Sequence, residues 1–423
     1  MTTDCDILIV GGGLAGATLA CALSASPYRV ALIEARAAGD RNAPGYDDRS
    51  LALAFGSRRI LEGLGLWQTI APVATPIKSI HVSERGRFGA TRLHHREEGV
   101  AALGYVVPSR DLGQVIYARL IAQANIDIVA PARVRDFIVD GTSVDVRADG
   151  GAEKGEAPVR TLRGRLLIAA DGASSNIRRQ LGIAASTADY GQTAIVANVT
   201  PSEDHRFAAY ERFTTAGPLA LLPKSEGRCA LVWTHAATEI AAIMRLSDTQ
   251  FLEKLQRCFG YRLGRFMKVG ARLAYPLTIN VARELVAPRA VLIGNAAHAL
   301  HPVAGQGFNL ALRDVAELAD LLCAHAPHDP GEQLLLGRYA DRRKADLRYV
   351  ARFTDTLARA FVNPFAPIAC ARGAARLALD AVPPLRHALA RRAMGVSGAV
   401  PRLTTGLNLV DLTQVDLSLA GSR

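Results

Sequence analysis

Four short runs of consecutive apolar residues punctuate the chain: Asp6–Val10 (DILIV), Arg29–Ile33 (RVALI), Leu166–Ala170 (LLIAA) and Ala290–Ile293 (AVLI). Runs this short, without polar alternation, predict strands buried on both faces, as in a parallel sheet. Elsewhere the pattern alternates. Ile77–Val82, Thr193–Val199, Phe207–Phe213 and Arg228–Thr234 switch sides with period two, which predicts strands with one buried face. Leu14–Ser24 and Phe308–Leu322 read as helices. Ser247-x-x-Gln250 is a capping box opening a third helix, with Phe251, Leu255 and Phe259 on one face and Gly260 at its end. Asp149–Ala157 is a polar, Gly-rich hairpin loop with no assigned function, and past residue 330 the pattern is helical. No internal repeat is seen. Strand–helix–strand units joined to a block of alternating strands predict an α/β fold with a second, β-rich unit.

Composition narrows the class. Of 423 residues 49% are hydrophobic and 21% charged, enough for a large core and unlike a disordered chain. The net charge of +11 favours a polyanionic neighbour: nucleic acid, an anionic membrane surface or a phosphorylated cofactor. Six cysteines without a CxxC pair read as reduced, small apolar residues. Asp4 and Asp6, followed by glycines, argue against a signal peptide. Residues 290–312 lack any formal charge over a bilayer's length, yet hold Asn295, His298, His301, Gln306 and Asn309. Those groups are costly in hydrocarbon, so a buried site is expected there instead of a membrane span.

The chemistry begins where the first strand ends. Gly11, Gly13 and Gly16 form G-x-G-x-x-G between a strand and a helix, the spacing that brings backbone close to a pyrophosphate at a helix N-terminus. Glu34 closes the next strand and can accept hydrogen bonds from ribose hydroxyls, which favours FAD or NAD over NADP. The third run stops at Asp171-Gly172-Ala173-Ser174-Ser175-Asn176-Ile177-Arg178. The fourth enters Gly294-Asn295-Ala296-Ala297-His298, then Pro302, then Gly305-Gln306-Gly307-Phe308-Asn309. A glycine loop opening a helix is again an anion or carbonyl site.

Taken in order, these segments resemble the flavoprotein aromatic hydroxylases of the para-hydroxybenzoate hydroxylase fold. The resemblance implies an α/β chain with a Rossmann-like FAD-binding domain, an inserted β-sheet substrate domain and a C-terminal helical region. The expected boundaries are 1–75, 101–182 and 276–330 for the FAD-binding domain, 76–100 and 183–275 for the substrate domain, and 331–423 for the helices. It further implies that the first motif holds the ADP moiety, that Asp171, Gly172, Ser175 and Arg178 serve FAD and NAD(P)H, and that Gly294, Asn295 and His298 meet the ribityl chain. Pro302, Gly305, Gln306 and Gly307 become the catalytic loop at the isoalloxazine, with Phe308, Asn309 and Val134 as further flavin contacts. Asn295 stands where most of the fold family has Asp. The ubiquinone-biosynthesis hydroxylases share that Asn and the run Leu300–Asp314, and the chain is identified as similar to them. Gly45–Leu53, His81–Gly86, Tyr210–Thr214 and Gly217–Pro223 resemble the 2-octaprenyl-6-methoxyphenol 4-hydroxylase branch.

On that resemblance the expected reaction is hydride reduction of FAD by NAD(P)H, addition of O2 at flavin C4a, and transfer of the distal oxygen to a phenol para to its hydroxyl. No second G-x-G-x-x-G follows, so NAD(P)H is expected to bind transiently on the FAD domain. Hydroxylation at another ring carbon, or a flavin-bound assembly subunit with little turnover, are the alternatives. Arg49 and Arg110 match family arginines near the flavin, though either would serve as a surface ion-pair partner. His298 and His301 lack the further ligand a metal needs. Arg212, on an alternating strand, faces either substrate or solvent. No residue is identified that deprotonates the phenol. From Arg359 to Arg402 seven arginines and one acid, Asp380, interleave with Phe361, Phe365, Ile368 and Leu377. This end is either a solvated helical cap or a peripheral membrane surface from which a polyprenyl substrate enters. Nucleic acid is not expected as a partner, since no recognised module appears. Other ubiquinone-biosynthesis proteins are candidate partners. The expected location is the cytoplasm, with the inner face of the cell membrane as the surface met by the basic end.

Overall fold

The structure, a computed structural model, describes residues 3–37, 49–150, 159–300, 305–362, 373, 375, 377–397 and 401–409. The four apolar runs become neighbours in one six-stranded sheet. Its order is Val286–Ala287, Ala290–Leu292, Leu166–Ala169, Ile7–Val10, Val30–Ile33 and Ile126–Val129. All pairings are parallel except the short hairpin at the first edge. Ile7, Leu8, Ile9, Leu167 and Ile168 are completely buried, which is why these strands carry no polar alternation. The helices Leu14–Leu23 and Gln306–His325 pack together against this sheet, the second starting earlier and ending later than its sequence pattern predicts.

The alternating strands form a nine-stranded sheet. Its main path is His298–Ala299, Leu273–Ala282, Ala185–Pro201, Cys229–Ala236, Gly217–Pro223, Ala208–Thr214, Ser79–Glu84 and Ala90–His94, with Phe266–Val269 beside Ala185–Pro201. One face packs Ile195, Leu219, Leu231 and Trp233 against Phe251, Leu255 and Phe259 of the helix Asp248–Phe259. The Ser247 hydroxyl accepts from Gln250 N and the Gln250 side chain accepts from Ser247 N. Ser247→Ala should lower stability by about 1 kcal/mol, read as a drop in the urea midpoint; no drop would mean the cap contributes nothing. The other face of the sheet is turned toward the first sheet, and a cavity lies between.

Several elements depart from expectation. The run Ile77–Val82 is broken at Lys78: Thr75–Ile77 joins a three-stranded sheet with Ser50–Ala54 and Gly104–Pro108, while Ser79–Glu84 joins the nine-stranded one. A four-stranded sheet of Thr3–Asp4, Val159–Gly164, Val144–Gly150 and Ala132–Val139 has no counterpart in the pattern analysis. Its charged, half-exposed strands hide the alternation; Arg147 pairs with Asp136 and Arg163 with Asp145 on its open face. Asp149 and Gly150 belong to this sheet, and the rest of the Asp149–Ala157 loop lies outside the described residues. The strand Leu273–Ala282 runs across the expected boundary between residues 275 and 276. The C-terminal part contributes the helices Gln333–Val362 and Pro383–Ala393; Phe365 and Ile368 lie outside the described residues. No helix among the described residues is long and apolar enough to cross a membrane.

Candidate active site

The two sheets and the C-terminal helices enclose a cavity of about 1350 Å³. That exceeds the usual volume of a single small-molecule pocket, so a dinucleotide and a second ligand fit together. Its floor is the carboxyl edge of the six-stranded sheet, the place where open α/β sheets bind ligands. Val10–Gly13, Leu32–Glu34 and Ala170–Ala173 all line it.

The first glycine turn is built for close approach. Gly11 has φ +106°, and a Cβ there would collide with the Ala170 carbonyl; a Cβ on Gly16 would collide with the Gly11 carbonyl. Gly13 differs: its φ is −65°, and nothing lies within 4 Å of where its Cβ would be. No side chain caps the helix Leu14–Leu23, so its first-turn N–H groups can receive an anion. Glu34 Oε2 accepts from Gly12 N at 2.6 Å and Oε1 from Arg36 N at 3.0 Å, which fixes the carboxylate at the cavity wall with lone pairs left for ribose hydroxyls. These features fit a dinucleotide with an unphosphorylated ribose.

The second motif is a self-locking loop. Asp171 accepts from the Ser175 hydroxyl and from the N–H groups of Asn176 and Ile177, and Ser175 in turn caps the short helix Asn176–Gln180. Arg178 is buried and donates to the Ala296 carbonyl at 2.8 Å, tying this loop to the Gly294–His298 turn. Asp171 and Gly172 therefore face the cavity, while Ser175 and Arg178 hold them in place.

Behind the Gly294–His298 turn sits a buried charge network. Asp314 accepts from Gly294 N at 2.9 Å, from His298 Nε2, and from Arg343 Nε at 2.8 Å. Arg343 and Arg313 both donate to Asp346 at 2.6 Å. Burial opposes the Asp314 charge, but His298 and Arg343 outweigh it and hold its carboxyl down at about 2. His298 is thus a buried partner of Asp314, not a cavity group. His301 and Pro302 lie outside the described residues, and among the described residues no metal-ligating cluster assembles.

Gly305, Gln306, Gly307 and Phe308 line the cavity at the start of the helix Gln306–His325, with Gly305 in the left-handed region (φ 59°, ψ 29°) and its Cβ position 3.1 Å from Ala52 Cβ. Asn295 is exposed on the cavity wall beside them, and Val134 lines it from the four-stranded sheet. Asn309 has a structural task. It donates to Ala52 O and Gly305 O and accepts from Ala54 N and Ser57 Oγ, all at 2.7 to 2.8 Å, so it clamps the glycine loop to the strand Ser50–Ala54. Arg49 lines the cavity with its guanidinium 4.8 Å above the Tyr275 ring. Arg110 is exposed on the first turn of the helix Ser109–Ile121, away from the cavity lining.

Arg212 requires a correction. It faces neither the cavity nor open solvent: its guanidinium donates to the Cys258 carbonyl at 3.0 Å and to Ser83 Oγ at 3.3 Å, on the helix-covered side of the sheet. Strand alternation turns its neighbour Glu211 the other way, into the cavity. Glu211 carries no motif signal; alternation places it on one face with Ala209 and Phe213, opposite Arg212, without telling which face is inward.

The chain matches the FAD binding domain family over residues 4–354. It is 39% identical to the ubiquinone hydroxylase UbiL of Rhodospirillum rubrum, over 96% of this chain and 93% of that one. It is 28% identical to 3-demethoxyubiquinol 3-hydroxylase of Escherichia coli, over 92% of this chain and 98% of that one. Among solved structures, p-nitrophenol 4-monooxygenase PnpA of Pseudomonas putida shares the fold, with a TM-score of 0.73 at 17% identity over 94% of this chain and 99% of that one. With the glycine cradle at the sheet edge and identity running through nearly the whole length, this chain belongs to the FAD binding domain family, among the flavin-dependent hydroxylases of ubiquinone biosynthesis.

Proposed function

We propose that the chain hydroxylates a polyprenylated phenol para to its hydroxyl, converting a 2-polyprenyl-6-methoxyphenol to the 1,4-benzoquinol. The observation that carries this is the cavity beyond the glycine turns. Ile80, Val82, Leu93, Val196, Leu222 and Val232 wall it with hydrocarbon, and Leu379, Leu389 and Ala393 continue that wall into the C-terminal helices. An aromatic head with an apolar tail matches such a lining. The para position rests on the stretches Gly45–Leu53 and Tyr210–Thr214 described above. The Escherichia coli relative, named for hydroxylation at ring carbon 3, supports the second reading of a different target carbon.

Bound FAD, reduced by NAD(P)H, supplies activated oxygen to the ring. The protein's part is to hold and shield. Gly11, Gly13, Gly16 and Glu34 would seat the ADP half, and Asp171, Gly172 and Asn295 would meet the middle of the cofactor, with buried Gly294 shaping the turn that presents Asn295. The N-terminal end of the helix Gln306–His325 lines the cavity, and its dipole would favour negative charge on a flavin ring held there. The apolar roof excludes water, which would otherwise divert the activated oxygen. The exposed Leu377, Val382 and Leu385, with exposed Arg391 on the same helix as Leu385, form the side we assign to lipid contact.

Mass spectrometry of quinone precursors in a host lacking this protein tests the reaction. Accumulated polyprenyl-6-methoxyphenol is the expected result. A different accumulating precursor moves the target carbon, and unchanged quinone levels remove the chain from the pathway's chemistry.

A further inference from the structure

On the cavity face of the nine-stranded sheet Glu211 is the one carboxyl among the described residues, set among apolar side chains with the hydroxyls of Thr91, Tyr275 and Thr278 further along the lining. Around Glu211 the in-facing positions are Ala209 and Phe213 on its own strand, Val82 across the parallel pairing and Ala220 across the antiparallel one. No donor among the described residues hydrogen-bonds the Glu211 carboxyl, although it is surrounded by protein and open only to the cavity. A carboxylate in hydrocarbon without a donor lowers stability, and nothing in the fold offsets that cost here. Ordinarily such a group is retained because a ligand completes it.

We propose that Glu211 is a catalytic residue that receives the proton of the substrate's phenol hydroxyl. The phenol O–H bond breaks, the proton passes to a Glu211 carboxylate oxygen, and the electron pair stays on the phenolate oxygen. That activates the para carbon toward oxygen transfer. The proton returns to the same oxygen as the ring regains aromaticity and loses its para hydrogen to water, which regenerates the carboxylate. The assignment rests on the hydroxylase reading above and adds to it the group that ionises the substrate.

The surroundings fit this role. Burial alone raises the Glu211 carboxyl to about 7, where a general base works best at neutral pH. Several charged and titratable groups elsewhere on the cavity are already engaged. On the helix Gln333–Val362, Asp346 is held by Arg313 and Arg343, and the Tyr349 ring lies 3.4 Å from Arg392. Arg49 lies over Tyr275, and Asp171 is bonded within its own loop. Across the sheet pairings Val82 and Ala220 carry no charge.

Holoenzyme should be compared with Glu211→Gln, using 2-methoxy-6-prenylphenol as the probe. Glu211→Gln removes a buried charge, so it should fold and keep its FAD, checked by flavin absorbance and melting temperature. Wild-type kcat should rise as pH rises through about 7, where the Glu211 carboxyl ionises and becomes able to take the proton. Glu211→Gln should lose roughly 10²–10⁴-fold in kcat at neutral pH and recover activity only toward the phenol's own ionisation in alkali. A variant with wild-type kcat and pH profile overturns the role of Glu211 and leaves the hydroxylase reading standing. Wild-type holoenzyme that binds no phenol probe overturns both.

Discussion

Gly13→Val should give a folded protein that purifies nearly free of flavin. The backbone at Gly13 is in a conformation any residue adopts, and the space beyond its Cβ position is open. The chain therefore accepts the side chain, but the isopropyl group occupies the ground in front of the helix Leu14–Leu23 where a pyrophosphate must lie. Steric intrusion of this size costs about 1–3 kcal/mol, roughly five- to 150-fold in FAD affinity. The measurement is bound flavin per protein together with melting temperature of the apoprotein. Gly11→Ala is the contrast: with φ +106° and the Ala170 carbonyl in the way, it should depress the melting temperature of the apoprotein itself. Full flavin occupancy in Gly13→Val would displace the pyrophosphate from this turn.

Asp314→Asn should be the most destabilising isosteric change at the site. It leaves Arg343 and His298 buried with a neutral partner, and removing one member of a buried charge pair typically costs about 3–5 kcal/mol. The Gly294 turn loses its anchor at the same time, so FAD retention should fall with the melting temperature. The pH dependence has a definite sign. The Asp314 carboxyl is lower in the folded than in the unfolded chain, so its contribution is fully present above the ordinary Asp range near 4. It is lost as pH falls through the folded value of about 2. The gap between wild type and Asp314→Asn in thermal unfolding should therefore be widest above pH ~4 and close toward pH ~2. A gap independent of pH across that window would mean the carboxylate's charge is not what stabilises the turn.

Both predictions concern residues inside motifs, yet only one role could be read from the motif. Gly13 is legible because the glycine turn is a local requirement: strand, turn and helix follow one another along the chain. The Asp314 network joins residues 294, 298, 314, 343 and 346, on a turn, a strand and two helices, and no spacing rule connects them. Ser175, Arg178 and Asn309 show the same limit. Their positions in motifs suggested cofactor contacts, whereas their hydrogen bonds are spent holding one loop to another.

The sequence by itself determined the buried parallel strands and the glycine turns with Glu34, because each depends on neighbours within a few dozen residues, and the family, because several such local motifs follow one another in order along the chain. Tertiary structure alone decided which side of the strand Ala208–Thr214 meets the cavity. Alternation fixes that Glu211 and Arg212 point opposite ways, but not which way is in. That choice falls to the helix Asp248–Phe259, whose aromatic face covers one side of the sheet and leaves the other, with its single carboxyl, turned toward the dinucleotide edge.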